Sequence, residues 1–290
     1  MRAKKSLGQN FLKSEMALRK IAQAGEIKQS DVILEIGPGK GALTEKLLEK
    51  FHPAQKLAGQ GKVIAIEKDP ELVSFLKNKF KKEIETGTLI LVCKDILDFE
   101  IEIYLAVRSP NALGDRTAKL RNYKLIANIP YNITGAILKK FLTAKHQPES
   151  MVLMIQHEVA KRILGNSPAC AKASAGKKES VLSISVKAYG EPKIIMKVPA
   201  RYFSPSPKVD SAVIVIKNIS RKIFKDNDLD ENRFWEIVRA GFAHKRKKLG
   251  SNLKNLRQAC QGPSLTGLKD KRAEDLSLAD WILLAKRCYN

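Results

Sequence analysis

The sequence predicts a doubly wound α/β sheet followed by a small all-helical C-terminal domain. Two observations carry that prediction. From residue 31 to about 128, short apolar runs alternate with longer segments of helical period, the pattern of βαβ units and of a parallel sheet covered on both faces. After Asn218 only helical periodicity remains, which places a domain boundary there, with 1–218 as the sheet domain and 219–290 as the helical one.

The elements follow in order. Strands are expected at Asp31–Ile36, Lys62–Glu67, Thr88–Val92 and Tyr123–Ala127, with helices at 41–50 and 70–80 between them. Further strands read at Met151–Gln156 and Lys193–Val198, and Val209–Ile216 is β-branched enough to close the sheet as an edge strand. Helices are expected at 230–242, 246–260 and 277–288, the last opened by Ser277 with Asp280 three residues on. Segments 51–61, 106–122 and 165–178 read as surface loops.

Composition narrows the partners. Lys and Arg total 53 against 30 Asp and Glu, a formal charge of +23 that calls for a polyanion, with nucleic acid ahead of a membrane surface. The acid-free stretch between Glu236 and Asp270 holds Lys245, Arg246, Lys247 and Lys248, which are expected to meet RNA phosphates. No apolar run approaches membrane length, and the basic N-terminus lacks an apolar signal core, so a cytoplasmic protein is expected. The four cysteines have no metal-ligand spacing, so free thiols and no metal are expected.

The chemistry concentrates at strand ends. In Glu35-Ile-Gly-Pro-Gly-Lys-Gly-Ala42, Gly37 and Gly39 let the backbone turn tightly and approach a ligand. Glu67, closing the second strand, can accept both ribose hydroxyls of a nucleoside, and Asp95 can take an adenine amine. A dinucleotide and S-adenosylmethionine both suit these residues. The segment Asn128-Ile-Pro-Tyr131 separates them.

Methylating an adenine amine requires two acceptors for its N–H hydrogens as the nitrogen becomes tetrahedral. The Asn128 side-chain oxygen and the Ile129 carbonyl supply them, with Pro130 keeping that carbonyl out of helix bonding. No strong base is needed, because the alkylated nitrogen is acidic. Tyr131 offers a ring on which an extruded base can stack.

Seven ordered stretches then carry a resemblance: SLGQNFL, EIGPGKGALTEKL, IEKDPEL, KDIL, ANIPYNIT, VPARYFSPSPKVDSAV and FAHKRKKLGSNL. Together they resemble the ribosomal RNA adenine N6,N6-dimethyltransferases of the KsgA type, from residue 6 almost to the end. The resemblance implies a Rossmann-like, seven-stranded class I methyltransferase sheet, S-adenosylmethionine as cofactor, and dimethylation of two adjacent adenines near the 3′ end of small-subunit rRNA during ribosome biogenesis. It also implies that Asn10 and Leu12 line the cofactor with Gly37, Glu67, Asp95 and Asn128, and that Phe203 faces Tyr131 across the base. A monomer working on the assembling small subunit is expected.

The chain departs from the family pattern in a longer Asp95–Asn128 segment and in Glu179–Ser183. Alternatives are a large-subunit adenine methyltransferase of the macrolide-resistance type and a mainly non-catalytic assembly factor. An NAD oxidoreductase would leave both the Asn128–Tyr131 segment and the charge unexplained.

Overall fold

The computed structural model describes residues 3–4, 7–51, 61–105, 120–165, 178–254, 256 and 267–289. Most of each expected loop, 51–61, 106–122 and 165–178, lies outside these residues, as do 255 and 257–260 of the helix expected at 246–260. Within that helix only Leu249–Asn252 is described as helical.

A seven-stranded sheet is built from β2 (Val32–Ile36), β3 (Lys62–Glu67), β4 (Leu89–Cys93), β5 (Tyr123–Asn128), β6 (Ser150–Gln156), β7 (Glu191–Val198) and β9 (Ser211–Lys217). Its order is β4-β3-β2-β5-β6-β9-β7. The first five strands in that order pair in parallel, and β6 pairs antiparallel with β9. All five residues of β2 and five of the six in β3 are buried, because helices cover both faces of a parallel sheet. The expected edge strand near Val209–Ile216 is instead interior. Its six consecutive buried residues from Ser211 to Ile216 need neighbours on both sides, and β7, alternately exposed, takes the edge.

A separate two-stranded ribbon joins β1 (Phe11–Leu12) to β8 (Phe203–Ser204), pairing Leu12 with Phe203. It brings the N-terminal segment beside the carboxyl ends of the central strands.

The chain divides into two compact units, 1–160 with 194–219 and 161–193 with 220–290. The boundary expected at residue 218 falls one residue from the second crossing. Residues 161–193, expected in the sheet domain, group instead with the C-terminal helices. The helix Val181–Tyr189 accounts for this: its Tyr189 ring stacks on Trp235 at 6.0 Å, and its hydroxyl donates to Glu231 at 2.5 Å. Burying that aromatic surface is the driving term for including the helix. In the same unit Trp281 and Phe234 are fully buried. The helix Leu278–Tyr289 opens as expected, Ser277 N donating to Asp280 and Asp280 N to Ser277 Oγ. Cys93 is a free, exposed thiol, whereas Cys288 is disulfide-bonded, contrary to the expectation of free thiols throughout. A pairing of that kind depends on tertiary proximity, which spacing along the chain does not reveal. No described helix is long and apolar enough to cross a membrane.

Candidate active site

The strand order reverses between β2 and β5, and the crevice at such a switch point is where open α/β sheets bind ligands. The cavity there is lined by residues 7–12, 35–40, 66–68, 94–96 and 128–133. It gathers Asn10, Leu12, Gly37, Gly39, Glu67, Asp95, Asn128, Ile129, Pro130 and Tyr131 from five stretches of chain.

Gly37 and Gly39 hold φ of +64° and +60°, a conformation that side chains rarely adopt. A Cβ on Gly39 would stand 3.1 Å from the Phe11 ring, so the second glycine is also required for closure by the N-terminal segment. Its amide donates to Glu67 Oε2 at 3.1 Å, and Asp69 N donates to Oε1 at 3.0 Å. Glu67 is therefore fixed by backbone at the end of β3, with further acceptor capacity on each oxygen. Burial raises its carboxyl above the ordinary range, opposed by those two N–H donors.

Asp95 is held differently. Its Oδ2 accepts from Lys68 at 2.8 Å and its Oδ1 from Leu97 N at 2.9 Å, so it caps the short turn Ile96–Asp98. The Lys68 ammonium keeps its carboxyl below the usual carboxylate range.

The basic N-terminal arm makes carboxylate contacts. Lys4 Nζ lies 2.8 Å from Asp69 and 2.9 Å from Glu71, and Gln9 donates to Asp69 at 3.0 Å. Burial by itself would raise Asp69, but Lys4, Gln9 and the Glu71 amide outweigh it and hold the carboxyl low. The arm is thus pinned one turn beyond Glu67.

At the end of β5, Asn128 Nδ2 donates to the Asn10 carbonyl at 3.3 Å. A carbonyl only accepts, so this bond assigns the amide orientation and turns Oδ1 the other way. Pro130 O accepts from Ile133 N at 3.3 Å and begins the turn Tyr131–Ile133. Neither Asn128 Oδ1 nor the Ile129 carbonyl accepts a hydrogen bond among the described residues. Both residues belong to the lining of the cavity. Tyr131 follows, half-buried, its hydroxyl 2.6 Å from Ser211 Oγ. Burial raises its phenol above the ordinary value, while the Ser211 contact opposes the rise.

Phe203 lies elsewhere. Its ring is only 3% exposed and packs in the hydrophobic core with Leu12 and Val213 rather than lining the cavity. Pairing with Leu12 in the β1–β8 ribbon turns it inward, so an open stacking face opposite Tyr131 is not present in this conformation. Lys245, Arg246, Lys247 and Lys248 are exposed, on the other compact unit; Lys248 pairs with Asp270 at 2.9 Å. His157 and Glu158 stand at a strand-to-helix junction, where His157 N donates to the Asp210 carbonyl.

Glu35 was not singled out in the sequence, since an acid within a buried strand carries no signal of its own there. It is 1% exposed; Oε2 accepts from Thr44 at 2.7 Å and Oε1 has no partner among the described residues. Burial pushes its carboxyl up to about 8, against the Thr44 bond, and Glu67 adds to the rise. Because the folded value is raised, the associated stability is fully present below pH 4.5 and is lost as pH rises to about 8. Urea unfolding of Glu35→Gln should therefore lack the decline that the parent shows across that window.

The sequence matches the ribosomal RNA adenine dimethylase family over residues 1–289. The chain belongs to that family. Curated relatives named ribosomal RNA small subunit methyltransferase A include one from Dehalococcoides mccartyi, 37% identical over 97% of this chain and 87% of its own length. Another, from Fusobacterium nucleatum, is 34% identical over 98% of this chain and 96% of its own. Among solved structures, a dimethyladenosine transferase from Plasmodium falciparum shares 26% identity at a TM-score of 0.69, covering 94% of this chain and 95% of that one. The 23S rRNA methyltransferase ErmE has the same fold, at 23% identity and a TM-score of 0.67 over 97% of this chain and 100% of its own. The seven-stranded class I methyltransferase architecture is thereby established.

Proposed function

We propose that this protein transfers methyl groups from S-adenosylmethionine to N6 of two adjacent adenines near the 3′ end of small-subunit rRNA, in the cytoplasm, during ribosome biogenesis. The observation that carries the reading is Asn128 at the end of β5, its Nδ2 donating to the Asn10 carbonyl so that Oδ1 is left to accept, with Ile129 next to it in the cavity lining.

The cavity suits the cofactor. Gly37 and Gly39 leave a backbone cradle, Glu67 retains acceptor capacity for ribose hydroxyls, and Asp95 can accept an adenine amine. When bound, S-adenosylmethionine supplies an electrophilic methyl group.

The chain's own residues act on the acceptor base. Asn128 Oδ1 and the Ile129 carbonyl take the two N6 hydrogens, drawing the nitrogen lone pair out of conjugation with the ring. These acceptors are fixed before the base arrives, so they stabilise developing positive charge without reorganising. Once alkylated, the nitrogen is acidic and passes its proton to water. Tyr131 offers the stacking surface that offsets the cost of extruding the base, at roughly 1–3 kcal/mol per base.

Lys245, Arg246 and Lys247 serve as phosphate contacts that dock the rRNA. Removing these three charges should reduce the slope of log affinity against log salt by roughly 2 to 3, measured by filter binding at several ionic strengths. The curated relatives are named for the small subunit, which favours it over the large one. Incubation with labelled S-adenosylmethionine and unmethylated subunits tests the choice. Label in small-subunit RNA is expected, whereas label confined to the large subunit, or tight binding without transfer, would reject it.

A further inference from the structure

The stretch Pro205–Val213 enters none of the chemistry above, yet its Asp210–Ser211 pair stands at the start of β9 beside both aromatic-bearing loops. Ser211 is fully buried at the head of a strand whose next five residues, Ala212–Ile216, are all apolar. A buried hydroxyl is costly unless it is hydrogen-bonded. The one side-chain partner that Ser211 has among the described residues is the Tyr131 hydroxyl, 80 residues away in sequence and 2.6 Å away in space. Its neighbour Asp210 accepts from Ala200 N at 3.0 Å, capping the turn that leads into Phe203, and meets Lys197 Nζ at 2.7 Å. One strand end therefore ties down the loop of Tyr131 and the loop of Phe203.

We infer that Ser211 is a positioning residue for Tyr131, holding its ring at the tilt that base stacking requires. The inference rests on the adenine reading above. Tyr131 sits on a short turn with no side-chain cap, so its own backbone element does little to restrain it. Anchoring the far end of the phenol fixes both side-chain torsions at once. Stacking depends on ring offset and tilt, and a misplaced reacting group loses rate steeply. A serine in this buried strand thereby has a purpose that packing alone does not give it.

The test is a double-mutant cycle on unmethylated small subunits at saturating cofactor. S211A and Y131F each sever the tether while leaving a ring at position 131. Each should lower kcat about five- to tenfold. The double variant should be no slower than the slower single one, and cofactor affinity by calorimetry should be unchanged. Losses that multiply in the double variant, or S211A turning over at the parent rate, would overturn the inference. A second readout needs no substrate: the Tyr131 Cζ resonance of tyrosine-labelled protein, identified by its loss in Y131F, should shift in S211A. An unshifted resonance contradicts the tether. A parent enzyme that fails to methylate small subunits rejects the adenine reading instead, with the resonance still deciding the tether.

Discussion

Asn128→Ala is expected to lower methyl transfer at least about a hundredfold, with cofactor affinity held within about tenfold. The separation of the two effects follows from geometry. Asn128 reaches toward Asn10 with Nδ2 and offers Oδ1 to the acceptor base, so truncation removes half of the acceptor pair. The proposed anchors for the nucleoside, Glu67 at the end of β3 and Asp95 just beyond β4, keep their own backbone donors. Single-turnover rates and isothermal titration of the cofactor measure the two quantities independently. Asn128→Asp is the sharper companion: a carboxylate keeps the acceptor but loses the donor to Asn10, and it should recover part of the rate.

Glu67→Gln is expected to weaken cofactor binding by about a hundredfold or more. Both Glu67 oxygens already accept backbone amides, from Gly39 and from Asp69. An amide in that place must turn its NH2 toward one of those N–H groups, opposing donor to donor in a site only 6% exposed. Turning it away costs the acceptor on one side and frees Gly39 N from its partner. Either way the glycine turn is disturbed as well as the ribose contact. Each unmatched buried donor costs roughly 1–3 kcal/mol, so a fall of a few degrees in Tm should accompany the loss of affinity.

The features legible in the sequence are those whose cause is local. β2 and β3 read as strands because a strand buried on both faces is built mostly of apolar residues; Val63–Ile66 is such a run, and Val32–Ile36 is one interrupted only by Glu35. Glu67 and Asn128 were found because each ends such a run, where switch-point residues belong. Features that depend on distant partners were not legible. Val181–Tyr189 joins the helical unit because of Trp235 and Glu231, more than forty positions on by number. Phe203 is turned inward by pairing with Leu12, near the opposite end of the sheet domain, and nothing in its own neighbourhood announces that. Ser211 belongs with these residues, since its partner Tyr131 lies 80 residues away. The motif resemblance located Phe203 in the right stretch of chain without conveying the direction of its ring.

The placement of Phe203 bears on how the base enters. With the Phe203 ring in the core beside Leu12, the aromatic residues in the cavity lining are Phe11 and Tyr131, and Tyr131 is held at its hydroxyl by Ser211. The N-terminal segment is itself held by Lys4 and Gln9 on Asp69, whose own amide donates to Glu67.

The central claim is that Asn128 and Ile129 present paired acceptors to an adenine exocyclic amine. Nucleoside analysis of unmethylated small-subunit rRNA after reaction with the protein and S-adenosylmethionine tests it most directly. The account predicts N6,N6-dimethyladenosine at two adjacent positions near the 3′ end, and its absence when Asn128 is alanine. Methyl groups recovered on ribose, on a pyrimidine or on a ring nitrogen would contradict it.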